Sequence, residues 1–256
     1  MSEALLEALI PLPAAERLAG FRKAISGRLV FTSSLGPEDQ VITHLIAAQR
    51  LDIDIITLDT GRIFEESYTL WAETEQRYGV QIKAVAPERA ALEELVAAQG
   101  PNGFYTSIDA RKNCCHVRKV EPLNRALKGA SGWITGLRAS QSAARGDATL
   151  SSRDAARNLL KFNPLFDWTL DQTLAFAKAN HVPLNTLHAK GFSSIGCAPC
   201  TRAVMSGEPE RAGRWWWENE TPHIGDNIIA RGKECGLHVA ADGRLSRINR
   251  ERSAAS

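Results

Sequence analysis

The fold is decided by a strand-like run and the loop and helix that follow it, LVFTSSLGPEDQVITHLI at positions 29–46. Residues 29–32 are mostly apolar and rich in strand formers, whereas residues 33–39 are mostly small, polar or acidic. Pro37 fits the first turn of a helix, in which apolar residues recur at helical spacing from Val41 to Ile46. The stretch therefore predicts a strand, a loop and a helix in direct succession.

The same alternation continues on both sides of this stretch and predicts an open, mostly parallel α/β sheet with helices on both faces. Upstream, a helix near Ala14–Ser26 would end at Gly27, and downstream the polar segment 138–154 is predicted to be a mobile loop. The other predicted elements are strands over Ile53–Leu58, Gln81–Val85 and Trp133–Leu137 and helices over Phe64–Tyr78, Ala90–Gln99, Lys112–Leu127, 170–179 after a cap at Thr169, and 203–218.

Composition excludes several classes of protein. The 256 residues are 44% hydrophobic and 23% charged, which is ordinary for a globular chain and excludes predominant disorder. Lys and Arg number 31 against 29 Asp and Glu, and the net charge of +2 gives no case for nucleic-acid binding. No apolar run approaches the roughly 20 residues of a membrane span, and the acidic N-terminus lacks the basic region of a secretory signal. We therefore expect a cytoplasmic protein without nucleic-acid or membrane partners; a homo-oligomer is compatible with the sequence.

Five cysteines stand out: Cys114 and Cys115, Cys197 and Cys200, and Cys235. In a chain of this size without an export signal, metal binding or thiol chemistry is a better interpretation than a disulfide framework. Zinc ligands usually come as two spaced pairs, and adjacent side chains on a helix point about 100° apart, so the first pair suits zinc poorly. A four-iron cluster has separate attachment points and is favoured, with zinc and buried hydrophobic cysteines as the alternatives.

Three loops are expected to meet at one edge of the sheet, because the carboxyl ends of parallel strands share an edge. They are residues 33–39, 58–61 and 137–138, each after a predicted strand. The first loop opens a helix, where free backbone N–H groups bind anions, although it lacks the GxxxxGK[ST] spacing of a Walker A loop. Together the loops predict a nucleotide site, and ordinary strand–helix turns are the alternative.

Cationic side chains accompany the cysteines. Arg118 and Lys119 each follow a cysteine by four residues, which on a helix places them one turn away, although a solvated basic face would show the same spacing. Arg211 and Arg214 would share one face of a predicted helix and suit an oxyanion, whereas the adjacent Trp215–Trp217 triplet is expected to belong to the core.

Cys235 lies apart from both cysteine pairs in a basic, glycine-containing segment, and is interpreted either as a nucleophile or as an incidental surface cysteine. The predicted organisation is accordingly a nucleotide-binding α/β domain over residues 1–220, which carries the cluster, and a flexible C-terminal tail over residues 221–256.

These features resemble the assimilatory adenylyl-sulfate reductases of bacteria, within the adenylyl-sulfate and phosphoadenylyl-sulfate reductase family. The resemblance runs from about Arg28 to His238 and is carried by SSLGPED (33–39), LDTGR (58–62), CCHVRK (114–119), TGLR (135–138), CAPCTR (197–202) and ECGLH (234–238). In this family the paired cysteines bind one [4Fe–4S] cluster per subunit. Phosphoadenylyl-sulfate reductases typically lack those cysteines, so the resemblance implies adenylyl sulfate as the substrate.

The resemblance also implies an adenine-nucleotide hydrolase-like fold, although the loop at 33–39 departs from the SGGxDS form of ATP pyrophosphatases and gives no support for ATP hydrolysis. It implies that Cys235 is the catalytic nucleophile and that Lys119 lies between cluster and substrate. The substrate-binding residues that it implies are Ser33, Ser34, Gly36, Leu58, Gly61, Gly136, Arg138, Arg145, Arg211, Arg214 and His238.

The implied reaction belongs to assimilatory sulfate reduction and cysteine biosynthesis. The Cys235 thiolate attacks the sulfur of adenylyl sulfate, AMP leaves, and an S-sulfocysteine forms. Reduced thioredoxin or glutaredoxin then releases sulfite, since no second cysteine lies near Cys235 in the sequence. A reductase of the 3′-phosphorylated substrate, or of both substrates, is the alternative within the family. A tRNA-thiolating enzyme, which the net charge disfavours, and a zinc-stabilised binding module are alternatives from other classes.

Overall fold

A computed structural model describes residues 3–141 and 148–219, and six strands within these residues form one sheet. The strands are β1 (Leu29–Ser33), β2 (Asp54–Leu58), β3 (Ile82–Val85), β4 (Gly132–Ile134), β5 (Ser151–Asp154) and β6 (Leu159–Phe162). The helices are α1 (Glu3–Leu9), α2 (Ala14–Ala24), α3 (Pro37–Ala48), α4 (Glu65–Tyr78), α5 (Arg89–Gln99), α6 (Ile108–Cys115), α7 (Glu121–Leu127) and α8 (Leu170–Ala179).

The strand order is β3-β2-β1-β4-β6-β5, and every neighbouring pair is parallel except β5 with β6. In the centre, Val30 of β1 lies opposite Asp54 of β2 on one side and Trp133 of β4 on the other. The predicted open, mostly parallel α/β sheet is therefore confirmed.

Helices cover both faces of the sheet. On one face α2, α3 and α8 pack into a core in which the rings of Phe21 and Phe162 stack with centroids 4.1 Å apart. On the other face α7 packs on β2 and β3, with Leu123 and Leu127 buried against Val30 and Ile56. No helix in the described ranges is long and apolar enough to cross a membrane.

Several local predictions are confirmed at helix ends. Pro37 opens α3, directly after Gly36 at its N-cap. Thr169 caps α8 in a capping box, because its hydroxyl accepts from the Gln172 N–H while the Gln172 side chain accepts from the Thr169 N–H. These caps fix where each helix begins relative to the sheet edge.

The prediction of a mobile loop over 138–154 is wrong at its end, where β5 pairs with β6 from Ser151 opposite Phe162 to Asp154 opposite Leu159. Its residues, SSRD, lack an apolar alternation, so the strand depends on hydrogen bonds supplied by β6 rather than on its own sequence pattern. Residues 142–147 of this segment lie outside the described residues.

The prediction of a helix over 203–218 is also wrong. This stretch consists of turns and ends in a short 3₁₀ turn at Trp216–Asn219, and Thr201 forms an antiparallel bridge with Arg214. Gly207 has a φ of +87°, and the Glu208 carboxylate accepts hydrogen bonds from the Met205 N–H and from the Arg202 guanidinium, which competes with helical pairing.

Candidate active site

A cleft opens at the carboxyl ends of β1 and β4, where the strand order of the sheet reverses. This position is the usual ligand site of an open α/β sheet, because the loops on either side of the reversal diverge and leave a crevice. Of the predicted site residues, those that line this cleft are Ser33, Ser34, Gly36, Leu58, Lys119, Gly136, Arg211 and Arg214. The structure therefore brings together residues from five separate segments of the chain.

The loop after β1 is held in a fixed shape by its own polar side chains. The backbone N–H and the hydroxyl of Ser34 both donate to the Asp39 carboxylate, at 2.6 and 2.7 Å. The Leu35 N–H donates to the Ser33 hydroxyl at 3.1 Å, and Leu35 has a positive φ of 61°. The loop leads directly into the N-terminus of α3, where the helix dipole favours an anion in the cleft.

The loop after β4 approaches the start of α3 so closely that only glycine fits at position 136. A Cβ atom on Gly136 would lie 2.3 Å from Asp39 Oδ1 and 3.0 Å from Glu38 Cβ. The two loops that form the cleft are thus in direct contact behind it.

Arg138 lies behind the cleft rather than among the residues that line it. Its guanidinium is fully buried and donates to Glu38 at 2.5 Å, to Ser140 at 2.6 Å and to Glu210 at 3.2 Å. Burial raises the pKa of Glu210 and the nearby Glu38 adds to this effect, against the opposing influence of Arg138. In the structure, therefore, Arg138 neutralises two carboxylates that line the cleft; its expected contact with adenosine stays a prediction.

The cysteine site is a small cavity beside the cleft that is lined by all four paired cysteines. Cys115, Cys197 and Cys200 are buried and Cys114 is half-buried, and each is a free thiol. Its other lining residues are Arg62, Phe104, Arg111, Arg118, Lys119 and Pro199. Within residues 3–141 and 148–219, no three His, Cys, Asp or Glu side chains converge as they would on a single metal ion.

A π-helical segment follows the first cysteine pair and contacts the surroundings of the second pair through hydrogen bonds. The predicted helix over 112–127 is interrupted by a π-helical segment, His116–Val120, directly after Cys115. Arg118 in this segment is buried and donates to the Thr60 carbonyl at 2.6 Å, and the Thr60 hydroxyl lies 3.3 Å from Cys197 Sγ. Such segments are frequent at functional sites, and this one carries Arg118 and Lys119, the two cations predicted to lie one turn from the first cysteine pair.

The thiols of the cysteine site differ in their electrostatic setting. Burial raises the pKa of Cys197, but Lys119, the Thr60 hydroxyl, Arg214 and Arg118 outweigh it and lower the pKa below its ordinary value. Burial, together with the neighbouring Cys197 and Cys115, raises the pKa of Cys200 to about 12. Cys197 is therefore more easily deprotonated than an ordinary cysteine, whereas Cys200 is less easily deprotonated.

Lys119 lines both the cleft and the cysteine site.

Other predicted site residues do not line the cleft or lie outside the described residues. Gly61, with a φ of +66°, lies beside the Arg118 guanidinium and is not among the residues that line the cleft. Arg145, Cys235 and His238 lie outside the described residues, so their predicted roles stay predictions.

Sequence reasoning missed several residues of these two sites. Glu38 and Asp39 fall in the predicted loop 33–39, but their individual roles were not predicted, because acidic residues in the first turn of a helix are a common stabilising arrangement. His188 also lines the cleft, and burial lowers its pKa. Glu210 and Arg111 had no signal in the sequence, since their importance comes from partners distant along the chain.

Comparisons with known proteins agree with this geometry. Residues 28–203 match the phosphoadenosine phosphosulfate reductase domain. A protein of Agrobacterium fabrum named adenosine 5′-phosphosulfate reductase is 50% identical over 232 residues, which cover 91% of this chain and 85% of that protein. One of the same name from Sinorhizobium fredii strain USDA 257 is 51% identical, covering 93% of this chain and 91% of the other.

Solved structures support the same fold. The phosphate complex of phosphoadenylyl-sulfate reductase from Candida auris matches with a TM-score of 0.67 and 26% identity, over 80% of this chain and 98% of that one. Candida glabrata FMN adenylyltransferase, in complex with FAD and pyrophosphate, has a TM-score of 0.52 at 16% identity over 93% and 80% of the two chains, which indicates a shared fold alone. The chain therefore belongs to the phosphoadenosine phosphosulfate reductase family, among its members named adenosine 5′-phosphosulfate reductase.

Proposed function

We propose that this protein reduces adenylyl sulfate to sulfite and AMP, with thioredoxin or glutaredoxin as the electron donor, in assimilatory sulfate reduction and cysteine biosynthesis. The observation that carries the proposal is the adjacency of the cleft and the cysteine site, which share Lys119. Free thiols persist in a reducing compartment, which supports a cytoplasmic location.

The donor set of the cysteine site fits a [4Fe–4S] cluster, one per subunit, bound by Cys114, Cys115, Cys197 and Cys200. Soft thiol ligands share one buried cavity, and Arg118 and Lys119 supply positive charge next to them. When bound, the cluster would hold all four sulfurs as thiolates and place negative charge beside Lys119. Residues 1–220 would thus carry both sites, and residues 221–256 would supply Cys235.

Substrate binding follows the walls of the cleft. We assign the phosphosulfate and ribose to the loop after β1 and the adenosine to the ends of β2 and β4, in keeping with the helix N-terminus that favours the anionic end. The residues assigned to the phosphosulfate and ribose are Ser33, Ser34 and Gly36, and those assigned to the adenosine are Leu58, Gly61, Gly136 and Arg138. Those assigned to the sulfate and phosphate charges are Lys119, Arg211, Arg214 and His238, and Arg145 is assigned to the substrate without a particular group.

In the first step the Cys235 thiolate attacks the sulfur of adenylyl sulfate. An S–S bond forms, the S–O bond breaks, and AMP leaves with the bonding electron pair. Attacking thiolate and substrate are both negative, so Lys119, Arg211 and Arg214 reduce their repulsion and stabilise the charge on the departing phosphate. The enzyme is left as an S-sulfocysteine.

In the second step a thiolate of reduced thioredoxin attacks Cys235 Sγ and sulfite leaves. The second thioredoxin thiol then breaks the mixed disulfide, so the donor dithiol supplies two electrons and becomes a disulfide. An external donor is required because the other four cysteines of the chain are gathered in the cysteine site.

Intact mass of the anaerobically purified protein tests this sequence of steps. Mixed with adenylyl sulfate and no thioredoxin, the protein should gain one SO3 group, which maps to Cys235 and which reduced thioredoxin removes as sulfite. Cys235→Ser should retain iron and sulfide but form no adduct. An adduct on another cysteine, or zinc in place of iron, would contradict the proposal.

Comparing kcat/KM for adenylyl sulfate and its 3′-phosphorylated form at equal thioredoxin tests the substrate. We expect a preference for adenylyl sulfate. Preference for the 3′-phosphorylated compound would instead assign the protein to the other substrate class of its family.

A further inference from the structure

Arg214 occupies a space that only glycine at position 196 leaves open. A Cβ atom on Gly196 would lie 2.2 Å from Arg214 Nη2, 2.4 Å from Cζ and 2.9 Å from Nη1. Gly196 does not have a positive φ, so the backbone conformation itself does not require glycine. The requirement comes from the guanidinium, which lies directly against the main chain of the segment that precedes Cys197.

Trp215 holds the same guanidinium through its ring. Arg214 Cζ lies over the Trp215 indole at 4.9 Å from the centroid, and Arg111 Cζ lies over it at 4.6 Å. Trp215 is 1% exposed, and its backbone N–H donates to the Cys200 carbonyl at 3.1 Å. Its φ of +46° is rarely adopted by a bulky residue and persists only where surrounding contacts determine the conformation.

The two arginines on this ring differ in their partners. Arg111 pairs with the Glu218 carboxylate through two hydrogen bonds, at 2.7 and 3.1 Å. Arg214 forms no ion pair within residues 3–141 and 148–219, and its Nε has no hydrogen-bond partner there. Its Nη1 donates to the Ile195 carbonyl at 3.2 Å and lies 3.5 Å from the Ser194 hydroxyl. Arg214 is therefore a buried cation at the wall of a cleft, with donors that an anionic ligand can take up.

We propose that Gly196 and Trp215 are positioning residues that hold the Arg214 guanidinium ready for the sulfate or phosphate group of the substrate. A free arginine loses much rotamer entropy when it binds an anion, whereas one already fixed between a ring and a main chain loses little. The inference rests on the proposed function, which assigns Arg214 to the anionic end of adenylyl sulfate.

Calorimetry with adenylyl sulfate in a Cys235→Ser parent, which binds without reacting, tests this inference. Gly196→Ala displaces only the end of a flexible side chain, so the melting temperature and iron content should stay at the parent values. The affinity should fall about 10- to 100-fold, the usual cost of one charge-assisted hydrogen bond. Added to Arg214→Ala, however, Gly196→Ala should cause no further loss, because the group that it displaces is already gone.

Substitutions of Trp215, with one control at Trp216, test the role of the indole ring. Trp215→Leu should weaken binding as Gly196→Ala does, and Trp215→Phe, which restores an aromatic face, should recover most of the affinity. Trp216→Leu removes a neighbouring indole whose ring contact is with Trp217 and should leave binding unchanged.

Three results would overturn the inference. The first is an affinity for adenylyl sulfate in Gly196→Ala that equals that of the parent. The second is an equal loss of affinity when Gly196→Ala is made in the parent and when it is made in Arg214→Ala, since the effect would then not act through Arg214. If the parent itself fails to bind adenylyl sulfate and the wild type fails to release sulfite, the proposed function falls and this inference falls with it.

Discussion

The cleft and the cysteine site are neighbours, but different parts of the chain build them. The cleft is lined largely by the loops at the ends of β1, β2 and β4, so its position follows from the order of the parallel strands. The cysteine site is formed by side chains from the end of α6, the π-helical segment and the loop at 197–200. We therefore expect that a change confined to the loops of the cleft leaves the cysteine site intact.

A buried arginine–glutamate pair supports each of the two regions. Each is backed by a fully buried arginine that pairs with glutamate: Arg138 with Glu38 behind the cleft, and Arg111 with Glu218 beside the cysteines. Removal of one partner from a buried pair leaves an uncompensated charge, so these pairs fix the geometry even where they add little net stability.

The largest effect is expected for Arg111→Leu. Glu218, whose side chain is 7% exposed, would lose its partner, and the free energy of unfolding should fall by about 3–5 kcal/mol. Urea unfolding measures this change. Arg89→Leu, which breaks an exposed pair with Glu93, is the control and should cost no more than about 0.5 kcal/mol. Equal effects of the two substitutions would show that burial does not govern the stability of the cysteine site.

Lys119→Ala tests the point at which the two regions meet. Because Lys119 lines both, its loss should lower turnover about 100- to 1000-fold, as loss of a group that stabilises transition-state charge commonly does. Iron content and melting temperature should stay near the wild-type values. Loss of iron would assign the lysine to the cysteine site alone, and near-normal turnover would remove it from the active site.

Gly136→Ala should disturb the cleft and leave the cysteine site unchanged. The new methyl group would overlap Asp39 Oδ1, which the Ser34 hydrogen bonds hold in place, so the start of α3 must shift. Overpacking of this kind costs about 1–3 kcal/mol. We expect weaker binding of AMP by calorimetry together with unchanged iron content. Iron loss in this variant would break the proposed independence of the two regions.

The sequence predicted the cleft and the cysteine site to different extents. Ser33, Ser34, Gly36 and Leu58 lie in loops that the rule for parallel strand ends placed at one edge of the sheet, because that rule depends only on the order and direction of the strands. Gly136 was implied by the family resemblance alone, and it also lines the cleft. The cysteines were predicted to meet because their pairing in the sequence is unusual. The partners of Arg138 and the stack on Trp215 could not be predicted, since they join residues that no local pattern connects.

Arg211 and Arg214 show how a correct grouping can come from a wrong element. Their spacing of three predicted a shared helical face, yet both line the cleft from a segment of turns. The contacts of Arg214 with Gly196 and Trp215, rather than helical periodicity, place it there. Likewise β5 escaped prediction because its strand depends on β6.

The smallest effect concerns the pH dependence of stability at the cleft. Burial raises the pKa of Glu210, so the folded state binds its proton more tightly than the unfolded state does. The stability that Glu210 contributes is therefore present below its unfolded pKa of about 4.3 and is lost as pH rises through the folded pKa. Glu210→Gln, which stays neutral, should flatten this decline in urea unfolding measured from about pH 3 to about pH 7.

Asp167 is the matched control, because it also pairs with an arginine but lies outside both sites. The hydrogen bond from Arg17 lowers the pKa of Asp167 despite its partial burial. Its contribution is accordingly present above the unfolded pKa of about 3.9 and is lost as pH falls through the folded pKa. Asp167→Asn should flatten the acid side of the same profile, opposite to Glu210→Gln. If both variants change the profile in the same direction, the pKa of Glu210 is not raised by its burial beside Glu38, and this explanation of the pH dependence is wrong.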